Sequence, residues 1–315
     1  MTNRNITLSS TIALLLGVGG VANADVDVYG KLNATLQNSD EAGESQVELR
    51  SNASRFGVKG NEALNDGLKA IYQFEWEVDP TDNGNASDNH IKSRNQFVGL
   101  QGGFGTLKVG RHDTALKLAQ GDFDLFNDLE GDIKNVLNGE NRESNFIGYT
   151  TPTLADAFSM TINLFPGEDA AAGNDGIADG MSVSLNYETD SVYAAIAQDS
   201  DIDGADVDTT RVVGGYKFGA AVVNAIFQQA DIAGVDADAY GASFGYTFGD
   251  NMIKLQHLQG DIWEIGGAPL ESQSSIGLDH KLAKSTKLFG FYTTGDIGGG
   301  SDSNDYFGLG IEHKF

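Results

Sequence analysis

The chain has 315 residues, with 45 acidic against 20 basic side chains for a net charge of −25, 41 glycines, 4 prolines and no cysteine. An acid excess of this size excludes nucleic acid as a partner, because neutralising phosphate needs a basic surface, and it works against attraction of anionic solutes. Without cysteine there is no disulfide framework and no thiolate metal site, and nothing in the sequence calls for a cofactor.

Arg4 precedes a largely apolar run, Ile6 to Val21, centred on Leu14, Leu15 and Leu16 and followed by Ala22-Asn23-Ala24. A short charge, an apolar stretch and a small-x-small site predict a secretory signal peptide over residues 1–24, removed before Asp25. The apolar run is too short and too glycine-rich for a membrane helix. No later stretch spans a bilayer as a helix, and mean hydropathy is −0.25. An exported chain of this kind is either soluble or a β-barrel, whose lipid face uses only every second residue.

From Asp25 the residues alternate. Val26, Val28, Leu32, Ala34 and Leu36 share one parity; Asp27, Tyr29, Lys31, Asn33, Thr35 and Gln37 share the other. The same split recurs at Ala70/Tyr72/Phe74/Trp76, Phe158/Met160/Ile162/Leu164, Tyr240/Phe244/Tyr246/Phe248 and Ile276/Leu278/Leu282. Period-two alternation predicts strands with two different faces. Segments of about nine to eleven residues match a tilted bilayer crossing. Aromatic residues near strand ends on the apolar parity match an interfacial girdle. These features favour a membrane barrel over a soluble sandwich.

Asp113 to Asn141 breaks the rhythm. Leu125, Leu129, Ile133 and Leu137 recur at helical spacing, and Asp122, Asp124, Asp128, Glu130 and Asp132 crowd together with only Lys134 in answer. A long acidic insertion of this kind is functional or disordered.

Elsewhere, tight turns at Glu62–Asp66, Thr189–Ser191, Phe218–Ala220, Gly249–Asn251 and Ala283–Ser285 alternate with long polar connections. The long ones run Asp79 to His90, Gly167 to Gly180, Ser200 to Asp208, Gly260 to Ser272 and Gly295 to Asn304. The count predicts an all-β fold: one sixteen-stranded antiparallel transmembrane barrel over residues 25–315, turns on one rim and loops on the other. Phe307, Leu309, Ile311 and Phe315 share a parity, which predicts a barrel-closing last strand.

The chain resembles the general diffusion porins of Gram-negative outer membranes over its whole mature length. Val26-Asp27-Val28-Tyr29-Gly30-Lys31, Ser54 to Gly60, Leu68 to Glu77, Phe97-Val98-Gly99-Leu100, Gly105 to Arg111, Ser144 to Tyr149 and Phe315 carry the likeness. The resemblance implies an outer-membrane homotrimer among lipids and lipopolysaccharide, passing small hydrophilic solutes and ions. It further implies a third external loop folded into each lumen, here residues 113–141. Carried over by position, Lys31, Arg55, Arg94 and Arg142 form a basic wall. Asp124 and Asp128 are the first candidates to face it, followed by Glu130 and Asp132. The enteric Pro-Glu-Phe-Gly-Gly loop motif is absent; Asn127-Asp128-Leu129-Glu130-Gly131 stands near its place. Arg111 shares the parity of Leu107 and Val109, which puts it outside at a subunit contact. Acid in excess predicts a mild cation preference. Alternatives are a solute-specific channel on the same barrel and a secreted β-rich adhesin.

Catalysis finds no support. Gly241-Ala242-Ser243-Phe244-Gly245 matches a nucleophile elbow, yet Ser243 lies mid-strand with no helix following. The five histidines show no metal-ligand spacing. Asp199, Asp201 and Asp203 begin like a calcium loop, but Thr210 stands where a bidentate Glu is needed. A solvated acidic loop is the favoured reading there.

Overall fold

The computed structural model describes residues 25–65, 67–81, 91–168, 175–299 and 303–315. The predicted signal peptide, Asp66, His90 and parts of the connections 79–90, 167–180 and 295–304 lie outside the described residues. The strands are β1 Asp25–Glu41, β2 in two pieces (Glu44–Ser51 and Arg55–Ala63), β3 Lys69–Val78, β4 Ile91–Gly102 and β5 Gly105–Asp113. After the long insertion come β6 Arg142–Thr150, β7 Phe158–Phe165, β8 Gly180–Glu188, β9 Val192–Ser200, β10 Val207–Phe218 and β11 Ala221–Ile232. β12 Val235–Phe248, β13 Asn251–Gly260, β14 Ser272–Ala283, β15 Thr286–Asp296 and β16 Ser303–Lys314 complete the set.

Each strand pairs antiparallel with its sequence neighbours, and β16 returns to β1 from Lys31↔Lys314 to Asp40↔Asp305. The sheet is therefore a closed sixteen-stranded barrel. Closure leaves no strand edge, which is what lets a sheet sit in lipid with its backbone satisfied. The seam is finished by reciprocal hydrogen bonds, Gly30 N to Phe315 O at 3.0 Å and Phe315 N to Gly30 O at 3.1 Å.

The alternation places apolar residues outside and polar ones inside. On β1, Leu36 is 58% exposed while Thr35 and Gln37 are 0% and 1% exposed. Val98, Leu185, Val212, Ile276 and Leu309 continue the outward apolar belt. Near the turn rim the outward Phe104, Phe158, Tyr216, Phe218, Tyr246 and Phe248 are exposed. Two of these pairs stack along their strands, Tyr216 on Phe218 and Tyr246 on Phe248. A water-facing surface would not collect these rings; the interfacial zone of a bilayer does.

Turns and loops segregate to opposite rims, with one departure from the predicted rhythm. Two loop-rim connections are themselves tight hairpins, Ala42-Gly43 and Ala233-Gly234, with φ of 52° and 83°, and 54° and 82°. Positive φ at both central residues matches the right-handed twist of paired strands. Here β1/β2 and β11/β12 meet directly.

Candidate functional site

Residues 114–141 lie inside the barrel, against the inner faces of β8 to β15. The helical spacing does not yield a long helix. Only Ala115–Leu118 is α-helical, capped by Thr114 Oγ1 accepting from Lys117 N, and Ile133–Asn135 forms a 3-10 turn capped by Asp132. The fourfold recurrence comes from docking on two apolar patches of the inner wall. Phe123, Ile133, Val136 and Leu137 pack with Val213, Ile226, Ala239 and Leu258. Phe126, with Leu125 and Leu129 beside it, meets Phe289 and Phe291. Burying one such side chain is worth roughly 1.5–3 kcal/mol, so the patches together outweigh any single polar tie.

Polar ties fix the register of the docked segment. Gln256 accepts from Leu125 N at 2.9 Å and donates to Gly131 O at 2.8 Å. Gln273 donates to Glu130 O at 2.7 Å, Lys254 Nζ to Leu125 O at 2.9 Å, and Tyr193 Oη to Ala119 O at 2.9 Å.

On the opposite side the segment meets the basic wall. Lys31 Nζ donates to Asp128 Oδ2 at 2.6 Å, and Arg55 pairs with the same carboxylate oxygen. Arg94 and Arg142, predicted with them, take their close partners from the wall itself. Arg94 Nε lies 2.8 Å from Glu75 and its Nη1 2.6 Å from Glu77. Arg142 Nη2 lies 2.8 Å from Asp113, and its Nε donates to Asn95 Oδ1 at 2.9 Å. Between wall and segment lies an open cavity of about 750 Å³, lined by Arg50, Arg55, Lys92, Arg94, Arg142, Lys117 and Lys134 against Glu77, Asp113, Asp128, Glu130, Asp132 and Glu140.

The four predicted acids divide. Asp128 spans the lumen, at φ 67°, a left-handed conformation that Asp tolerates better than most residues. Burial pushes its carboxyl up, but Lys31 and Arg55 more than offset this and hold it below the usual range. Glu130 Oε1 accepts from Gln37 Nε2 at 2.9 Å and lies 3.3 Å from Arg50 Nε. Asp132 lines the cavity, but its oxygens accept from Asp128 N and Lys134 N, both at 3.0 Å. Asp124 turns away from the cavity: it accepts from Phe126 N at 3.0 Å and Ile133 N at 3.4 Å. Burial first, then the neighbouring Asp132, raises its pKa well above the ordinary value. Asp124 thus holds the segment's fold together and does not face the wall.

Arg50 escaped the sequence reading for a definable reason. Five positions separate it from Arg55, which in an unbroken strand puts the two on opposite faces. Between the pieces of β2, however, Ser51 pairs with Ala34 and Arg55 with Lys31. Four steps on one strand against three on the other make a β-bulge at Asn52-Ala53-Ser54, which restores Arg50 to the lumen. Ala53 at φ 46° marks it. Further register shifts fall between Phe74 and Trp76 on β3, facing the Arg94 stretch of β4, and between Gly110 and His112 on β5, facing β6 just beyond Arg142. Bulges re-aim side chains in this way. The Asn-Ala-Ser stretch amid alternation was the signal available.

Arg111 donates to Ser144 Oγ at 2.9 Å on an exposed part of the barrel. The calcium candidate does not assemble. Asp199 is buried on β9, Asp201 Oδ1 accepts from Asp206 N at 2.8 Å, and among the described residues no group of three acidic or histidine side chains is placed to hold a metal. An alternating strand buries Asp199 on its inner face, while Asp201 turns its carboxylate to the backbone of its own loop. Ser243 is buried mid-strand and accepts from Asn224 Nδ2 at 3.0 Å.

The sequence profile of the Gram-negative porin family matches residues 10–309. The chain belongs to that family. Membership makes it a Gram-negative porin, and the relatives it matches are outer membrane proteins. Major outer membrane protein P.IB of Neisseria gonorrhoeae is 29% identical over 202 residues, covering 60% of this chain and 56% of that protein. The counterpart from Neisseria meningitidis serogroup B is 38% identical over 121 residues, 34% of each. The chain thus spans little more than half the length of the curated relatives it matches. Among solved structures, an anion-selective porin from Comamonas acidovorans superposes with a TM-score of 0.72 at 23% identity, over 93% of this porin and 100% of that one. The trimer form of OmpT from Vibrio cholerae superposes at 0.69 and 16% identity, over 93% and 99%. At these identities the likeness is one of fold.

Proposed function

We propose that this porin is a water-filled channel for passive diffusion of small hydrophilic solutes and ions, with residues 113–141 as its constriction. The observation that carries the reading is Asp128, reaching from the insertion to Lys31 and Arg55 beside an open, charge-lined cavity. Opposed charges across a narrow aqueous gap orient water and dipolar solutes. Polar molecules follow that order and apolar ones disrupt it. The channel assembles as a homotrimer, its outward belt in contact with membrane lipid and lipopolysaccharide.

The ion preference is mildly cationic and arises at the loop-rim mouth, not at the aperture. The cavity lining is nearly balanced, seven basic side chains to six acidic. The loop-rim connections and strand ends, by contrast, carry Glu41, Glu44, Asp201, Asp203, Asp206, Asp236, Asp261, Glu264 and Glu271. Purified protein in a planar bilayer gives stepwise conductance in threes and a zero-current potential of cationic sign across a KCl gradient. Absence of conductance steps defeats the channel reading, and an anionic sign defeats the preference.

A further inference from the structure

Arg211 on β10 is the largest fully buried side chain among the described residues, at 0% exposure. It lies on the inner wall, across the barrel from the basic cluster, and all its hydrogen bonds go to the neck of the inserted segment or to one neighbour. Nη1 donates to Glu140 Oε1 at 2.6 Å and, more weakly, to Leu116 O at 3.4 Å; Nη2 donates to Asn138 O at 2.9 Å. Nε donates to Gln228 Oε1 at 2.8 Å, and Gln228 Nε2 in turn donates to Asn138 Oδ1 at 2.6 Å and Asn138 O at 3.1 Å. One guanidinium therefore ties the outgoing limb at Leu116 and the returning limb at Asn138 and Glu140. The planar five-donor fork of arginine suits this; a lysine ammonium cannot reach three divergent acceptors in a plane.

The tie matters for permeation because of Glu140. This residue lines the cavity beside the basic wall, yet its carboxylate is turned back on to Arg211, with 9% of the side chain exposed. Arg142, Lys117 and Lys134 line the same cavity, so a released carboxylate has basic partners to swing toward. The apolar patches hold residues 123–137 without help from Arg211, whereas the neck has no comparable apolar anchor beyond Leu116 and Ala119 on Ala195 and Ala197.

We propose that Arg211 is the positioning residue of the filter: from outside the current path it draws both limbs of the neck on to β10 and keeps the Glu140 carboxylate out of the aperture. The proposal rests on the constriction reading given above.

Two substitutions with opposite expected signs test it, with the full-length protein in planar bilayers at pH 8 and heat-dependent gel mobility as the check on folding. Arg211→Leu frees the carboxylate into the aperture and raises the cation-to-anion permeability ratio about twofold, with noisier open-channel current. Glu140→Gln leaves the guanidinium uncompensated behind the lining and lowers the ratio by a similar factor. Arg211→Leu combined with Glu140→Gln returns it to the wild-type value. A merely structural role for Arg211 moves both single variants the same way, which overturns the proposal, as does a wild-type ratio in both. If Arg211→Leu fails to assemble, Glu140→Gln and Arg211→Lys still decide, the latter by an intermediate rise. Asp128→Asn, measured alongside, separates the two levels. If it shifts the ratio and the Arg211 and Glu140 variants do not, only the role of Arg211 fails; if none shifts it, the constriction reading fails as well.

Discussion

The ammonium of Lys31 and the carboxylate of Asp128 meet at 2.6 Å across 97 positions of sequence, one on the first strand and the other on the inserted segment. Arg55 joins the same oxygen. The contact closes a cross-lumen bridge whose other footing is the apolar dock of Phe123, Ile133 and Leu137 on the far wall.

Replacing Asp128 by Asn removes the carboxylate that Lys31 and Arg55 share. A unit charge about 7 Å from an ion's path in water is worth ~0.6 kcal/mol, a factor of about 2–3 in relative permeability. The Asp128→Asn channel accordingly shifts toward anions by about that factor. Reversal potentials in a KCl gradient measure the shift, and a ratio equal to wild type contradicts it.

Two carboxylates of the insertion that line the cavity, Glu140 and Asp128, respond to acid in separate ranges, while Asp124, also raised by burial, faces away from it. Burial lifts Glu140 above the ordinary carboxylate range, against the pull of Arg211 and Lys117, so it takes up its proton above about pH 4.3. Asp128 is held below the ordinary range by its bases, despite burial. A depressed folded-state pKa means its contribution is complete above about pH 3.9 and is lost only as pH falls through the lower folded value. Titration of the permeability ratio is expected to show a first anion-ward step above about pH 4.3 and a second below about pH 3.9. Asp128→Asn should abolish only the second, and a single step in the wild type contradicts this order.

On the outer face, Leu278 lies at the middle of β14 and is exposed. Leu278→Arg puts a charge at the lipid midplane and costs about 2–4 kcal/mol of barrel stability. The inward neighbour Gly277→Ser brings a Cβ within 2.9 Å of the Phe126 ring, so any cost it carries comes from the docked segment and not from the belt. Refolding into lipid vesicles across a urea series compares the two. Equal midpoints for Leu278→Arg and wild type speak against the assignment of faces.

At the seam, a Cβ on Gly30 would fall on the ring of Phe315 and within 2.9 Å of Arg55 O. Gly30→Val therefore displaces the ring and strains the reciprocal Gly30–Phe315 hydrogen bonds, each worth about 0.5–1.5 kcal/mol. Heat-modified gel mobility should show unfolding at lower temperature, and an unchanged transition argues against this packing.

Much of the barrel was legible in the sequence because a strand's period of two needs no distant information. The parity of Val26 to Gln37 settles which residues of β1 face lipid and which face the lumen, and the same rule recovered sixteen crossings. The same parity failed at Arg50, since one extra residue at Asn52-Ala53-Ser54 exchanges the faces, and bulges leave little trace in composition. Within the insertion the sequence showed acids and a fourfold apolar spacing, which two wall patches explain and a helix does not.

The kind of surface each strand presents is written in the chain, because alternation is a local property of the backbone. Who meets whom inside was settled by the closed barrel. Asp128 reaches the wall while Asp124 caps its own loop, Arg94 and Arg142 pair with wall carboxylates, and Arg211 holds the neck. The path of a docked segment follows from where its apolar side chains find a matching patch on strands more than seventy residues away, and no local pattern encodes that distance.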